Sequence, residues 1–134
     1  MSRLPDWEER LVAFMAEHRA RPFEWGAWDC ALYATACAAE LTGTDKAADF
    51  RGAYSTREGA ALALRELGKG TLIATLDSLY PPKPASKAVR GDLVGAFGAI
   101  GVCMGGYGLF VGEEGDAAGL LKIERAEWER AWGV

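Results

Sequence analysis

The chain has 134 residues, half of them hydrophobic and a quarter charged, with a formal net charge of −4 at pH 7. That balance describes one globular domain over residues 1–134 and excludes a disordered chain. Acidic and basic residues are interspersed, so there is no basic stripe to follow a phosphate backbone, and nucleic acid is set aside as a partner.

Three cysteines form no disulfide framework, since an odd count leaves at least one thiol over. No CxxC occurs, and the one histidine stands far from any cysteine in sequence, so neither a metal nor a cofactor is expected. The opening MSRLPDWEER lacks the apolar core of a signal peptide, and no apolar run reaches membrane-spanning length. The expectation is a soluble protein made in a cytoplasm, without membrane insertion.

Leu4, Trp7, Leu11, Phe14 and His18 recur at spacings of three and four, which predicts a helix over about 5–19. Pro5 suits its first turn, and Asp6, Glu8 and Glu9 lie near the positive end of its dipole. His18 falls on or beside the apolar stripe, as a packed or capping residue. A loop rich in Pro, Gly and Trp then runs from Arg21 to Trp28. Asp29 is placed to N-cap a second helix, which puts Cys30 at its first position. Cys30, Ala34, Cys37 and Leu41 share one face of that helix, and Thr42-Gly43 ends it. Its alanines allow close packing, as a central core helix requires.

Lys46 to Tyr54 reads as a turn or short helix with a bend at Gly52. Ser55-Thr56-Arg57-Glu58 has the form of a capping box ahead of Ala61, Leu64 and Leu67, and Gly68 stops that helix. Thr71 to Tyr80 predicts one more short helix, closing a helical part over about 5–80. Pro81, Pro82 and Pro84 predict a stiff link over 81–84 with no hydrogen-bonded ladder. Short apolar runs punctuated by glycine follow at Asp92–Val94, Ile100–Met104, Tyr107–Val111 and Leu120–Ile123, giving a β-rich part over about 90–123. A short amphipathic helix is expected over 124–131, carrying Trp128 and followed by Trp132. Helices first and a small antiparallel meander afterwards make the fold class α+β.

The helix opened by Asp29-Cys30 after a Trp-Gly loop, then Gly91-Asp92-Leu93-Val94, then Ile100-Gly101-Val102-Cys103-Met104-Gly105, resembles the NlpC-type cell-wall cysteine peptidases. More closely, W-G-x-x-D-C, F-R-G-x-Y, R-G-D-x-V, G-V-x-x-G and a tryptophan near the C-terminus are similar to an uncharacterised family of tailed-phage tail gene clusters, itself distantly related to the NlpC type. The resemblance covers about residues 20–133. It implies a compact papain-like NlpC-type fold, with N-terminal helices packed on a small C-terminal antiparallel sheet and Cys30 in the place of the nucleophile. It also places Ala99 where that family carries its histidine base. Sliding the alignment by one offers Gly98 or Ile100, and none of the three takes a proton.

Two readings follow. In the first, the chain is a non-catalytic structural or adaptor component of a phage tail tip, located in the virion tail with other tail hub or tip proteins as partners. In the second, it is an active cysteine peptidase or amidase cutting peptidoglycan peptides during entry, with Cys30 as nucleophile and His18 as the one imidazole available for a rearranged dyad. A small-molecule or peptide-binding module using the same groove is a third reading. Trp25, Trp28, Asp29 and Ala99 would then line a vestigial groove or a partner contact, although loop tryptophans also commonly seal a core. The R-G-D at 90–92 reads as a turn entering a strand, and Cys37 and Cys103 as small buried hydrophobes. GAFGAIG and MGGYG lack the strand-to-helix setting and the Lys or acid of a phosphate loop.

Overall fold

The computed structural model describes residues 3–112 and 119–134; the 113–118 portion of the expected β-rich part lies outside them. Four helices come first: α1 (Trp7–His18), α2 (Cys30–Thr42), α3 (Arg57–Glu66) and α4 (Leu72–Leu79). Six strands follow: β1 (Pro82–Lys83), β2 (Leu93–Ala96), β3 (Ala99–Cys103), β4 (Tyr107–Val111), β5 (Leu120–Glu124) and β6 (Arg130–Trp132). They form one antiparallel sheet in the order β1-β6-β2-β3-β4-β5, so the α+β class holds. From β2 to β5 the sheet is a meander, and the chain's last strand returns to pair with the outer edge of β2.

Side chains of a strand alternate between faces, and the sheet uses both. Leu93, Ile100, Val102, Val111 and Trp132 pack toward the helices, where Leu11, Phe14, Tyr33, Cys37, Leu41 and Leu76 meet them. Val94, Ala96, Cys103, Phe110 and Ala131 point the other way into a smaller cluster closed by Ala88 and Trp128. Helix α2 is the centre of the larger core, with Leu32, Tyr33, Ala34, Thr35, Cys37, Ala38 and Leu41 all buried. Each large aliphatic side chain removed from water there contributes about 1.5–3 kcal/mol. The Tyr33 hydroxyl donates to the carbonyl of Leu109 at 2.7 Å and ties α2 to β4. Gly43, at φ 83°, ends α2 by donating its N–H to the carbonyl of Ala39.

Three local expectations are corrected. Residues 124–131 do not form a helix: a single 3-10 turn at Arg125–Glu127 leads into β6. The spacing of Trp128, Ala131 and Trp132 fits a helix, but pairing with β2 decides the outcome, setting Leu93 opposite Trp132 and Gly95 opposite Arg130. The proline link does join the ladder, because Pro82 pairs with Trp132 and the Pro81 carbonyl accepts from the N–H of Gly133 at 2.8 Å. An edge strand that supplies carbonyls does not need the N–H that proline lacks. Helix α3 is capped by Thr56, whose hydroxyl accepts from the N–H of Gly59 at 3.0 Å, one residue later than the Ser55–Glu58 box predicts.

Candidate functional site: the Asp29–Cys30 corner

The site is built on the loop that turns into α2. Asp29 has extended backbone (φ −84°, ψ 176°) and caps the helix, its Oδ1 accepting from the N–H of Leu32 at 3.0 Å. Its Oδ2 accepts from the N–H of Gly26 at 3.1 Å and from the hydroxyl of Tyr54 at 2.5 Å. Asp29 is only 3% exposed, and all three donors are neutral. Burial, and then the bond to Asp29, raise the pKa of the Tyr54 phenol well above its usual value, so it keeps its proton at neutral pH.

The two aromatic-glycine motifs are halves of one joint. Gly26 has φ 79°, and a Cβ at that position would fall 1.7 Å from the carbonyl oxygen of Tyr54, which only glycine permits. The Gly26 carbonyl in turn accepts from the N–H of Gly52 at 2.9 Å. Arg51 clamps the second segment to α2, donating to the Leu32 carbonyl at 3.0 Å and to the Thr35 hydroxyl at 3.2 Å. It also pairs with Asp45 at 2.7 Å. The guanidinium lowers the pKa of Asp45, chiefly through that hydrogen bond. W-G-x-x-D-C and F-R-G-x-Y are therefore one hydrogen-bonded wall.

Against that wall lies a cavity of about 280 Å³. Cys30 and Trp25 line it from the corner, Tyr54 and Phe50 from the clamped segment, Arg57, Ala61 and Leu64 from α3, and Gly98 and Ala99 from the start of β3. The lining is mostly apolar, and the Arg57 guanidinium lies 5.7 Å from the centre of the Trp25 ring. Cys30, Asp29, Trp25 and Ala99, four of the residues singled out from sequence, thus share one cavity.

The other two lie elsewhere. The single histidine, His18, stacks between Phe14 and Trp28, with ring centres at 4.7 and 4.6 Å, and does not line the cavity. Trp28 is buried in the main core, in contact with Phe14 and Tyr33 and with the Arg21 guanidinium 4.0 Å above its ring. Cys37 and Cys103 are fully buried as expected, and burial pushes the Cys37 thiol up to about 12. Cys30, by contrast, is partly exposed, and none of the three is in a disulfide.

Cys30 occupies the first helical position, where unpaired N–H groups and the helix dipole favour a thiolate. A thiol also needs a group to take its proton in a hydrolytic cycle. Ala99 carries none, and the Tyr54 phenol holds its own proton. Among the described residues no group of three or more His, Cys, Asp or Glu could hold a metal ion. Among the described residues no helix is long and apolar enough to cross a membrane.

Sequence reasoning missed Tyr54 and Arg51, which lie in a motif noted without a role; the F-R-G-x-Y spacing is the signal available. A family model described as "Domain of unknown function (DUF6950)" matches residues 2–134. The chain belongs to the DUF6950 family. No curated protein and no solved structure matches it.

Proposed function

We infer that this DUF6950 chain is a non-catalytic structural or adaptor component of a phage tail tip, built on an NlpC-type papain-like scaffold that lacks the catalytic histidine. The observation that carries the reading is the cavity that Cys30 lines: the β2–β3 turn and the start of β3 border it through Gly98 and Ala99, neither of which can take a proton. The tail-cluster resemblance supplies the setting and the partners, namely other tail hub or tip proteins.

The direct test is Cys30→Ser in the phage. Normal assembly and infectivity, with no wall digestion by either protein, is the expected result. Particles that assemble but lose a digestion activity present in the parent would overturn it.

The alternative, a working cysteine hydrolase acting on peptidoglycan peptides, draws on one specific observation: Cys30 opens α2 and lines an accessible cavity. The pH profile of alkylation separates the two readings. An ordinary thiol profile supports the adaptor, and rapid labelling well below pH 7 supports the enzyme.

A further inference from the structure

The cavity beside Cys30 has about 280 Å³, and most polar side chains of its wall are engaged within the fold. The Asp29 carboxylate accepts from three donors, of which the Tyr54 hydroxyl is one. The Thr35 hydroxyl donates to the Ala31 carbonyl at 2.7 Å and accepts from Arg51 at 3.2 Å. The Thr75 hydroxyl donates to the Thr71 carbonyl at 2.6 Å and accepts from the N–H of Lys69 at 3.0 Å. Phe23, Phe50, Leu64, Leu72, Leu76 and Val111 make much of the remaining wall hydrocarbon. A polar group entering it gives up water and finds few partners in return, which is unfavourable. The body of a ligand that fits is therefore hydrocarbon. A cavity of roughly 150 Å³ holds a benzene ring, so this one has room for an alkyl chain of about eight to ten carbons.

The charges around the cavity decide the sign of the head group. Arg57 is the one cation among the described lining residues, and it is exposed as well, which puts it where the cavity meets solvent. Its guanidinium lies 5.7 Å from the ring centre of Trp25, another lining residue. The first residues of three helices, Cys30 of α2, Arg57 of α3 and Leu72 of α4, all border the same cavity. A helix start carries partial positive charge and favours an anion nearby. Asp29 is the one acid among the described lining residues, and it is 3% exposed with its donors in place. A guanidinium also matches the planar fork of a carboxylate, which it binds through two parallel N–H bonds.

We propose that this cavity binds a medium-chain monocarboxylate, its alkyl chain among the apolar side chains and its carboxylate on Arg57. The inference goes beyond the adaptor reading and does not rest on it, since binding involves neither a tail protein nor a reaction at Cys30.

Isothermal titration calorimetry of the full chain with octanoate tests it. Saturable one-to-one binding is expected, with a dissociation constant on the order of 100 µM. 1-Octanol should bind about tenfold more weakly, and octylamine, a cation at neutral pH, more weakly still. Arg57→Gln should weaken octanoate about tenfold and leave 1-octanol unchanged. Ala61→Trp fills the cavity from an exposed position and should abolish binding, with its fold checked by circular dichroism. In the parent, octanoate should slow the alkylation of Cys30, which places the ligand in this cavity without any substitution. No saturation by octanoate up to about 2 mM overturns the proposal and leaves the cavity to a partner's side chain. Equal affinity for octanoate and 1-octanol overturns it too, as does parental octanoate affinity in Arg57→Gln. Binding that survives in folded Ala61→Trp, or alkylation of Cys30 indifferent to octanoate, puts the ligand elsewhere and overturns it as well.

Discussion

Asp29 and Asp92 are both buried, and each gathers distant parts of the chain onto one carboxylate, but with different partners. Asp29 meets three neutral donors, from Gly26, Leu32 and Tyr54. Asp92, 1% exposed, meets two cations, Arg3 at 3.0 Å and Lys83 at 2.8 Å. It also accepts from the N–H groups of Val89 and Val134. Arg3 then extends the knot to the carbonyls of Arg90 and Val134. The Asp92 corner fastens Arg3, Lys83 and Val134 to the start of β2. The Asp29 corner shapes a helix start and a loop, and keeps a cavity open. A carboxylate held by charges serves here as a lock, and one held by dipoles as a frame.

Removing each aspartate breaks the comparison most directly. Asp92→Ala leaves two mostly buried cations without their counter-ion and should cost about 3–5 kcal/mol in urea unfolding. Asp29→Ala removes a cap and strands two backbone N–H groups and a hydroxyl, for about 2–3 kcal/mol. A cost at Asp29 equal to or above that at Asp92 would reverse the contrast between lock and frame.

Tyr54→Phe sharpens it by removing one neutral donor, for about 1 kcal/mol at pH 7. It should also act on the alkaline limb. The folded phenol has a raised pKa, from burial first and the Asp29 bond second, so its contribution is fully present below its unfolded pKa near 10 and is lost as pH rises above that. The variant should therefore lose stability less steeply above pH 10, and an identical slope would remove Tyr54 from the account. The smallest stability effect is expected at Cys30→Ala, within about 1 kcal/mol, since that side chain faces a cavity. In the parent, a thiol reagent should label Cys30 alone until denaturant exposes Cys37 and Cys103. Labelling of all three in the native state would contradict their burial.

The frame was legible in the sequence because it is local. Asp29 as cap and Cys30 as first helical residue follow from neighbours a turn away, as do the bounds of α2 at Gly43. That Cys30 and Ala99 line one cavity is announced by no periodicity in the sequence. The lock was not legible. Asp92 read as part of a turn, and nothing near it in sequence announces Arg3, Lys83 or Val134. The pairing of Pro82 and of Arg130–Trp132 was hidden for the same reason, since each depends on a strand far along the chain. Of the two places open to Trp28, a groove or the core, the structure shows the core; in sequence an aromatic before a core helix looks the same facing in or out.

Strand β6 has a kinetic consequence. The β2–β5 meander pairs strands that follow one another along the chain, whereas β6 lies between β1 and β2, both of which precede it by the length of the meander. Contacts of long sequence separation are rewarded late on the folding path, because closing the chain comes first. Such a strand contributes little to the barrier for folding and much to the barrier for unfolding. Substitutions at Ala131 or Trp132 should therefore leave the refolding rate nearly unchanged and accelerate unfolding, which makes the last strand the molecule's timer for coming apart.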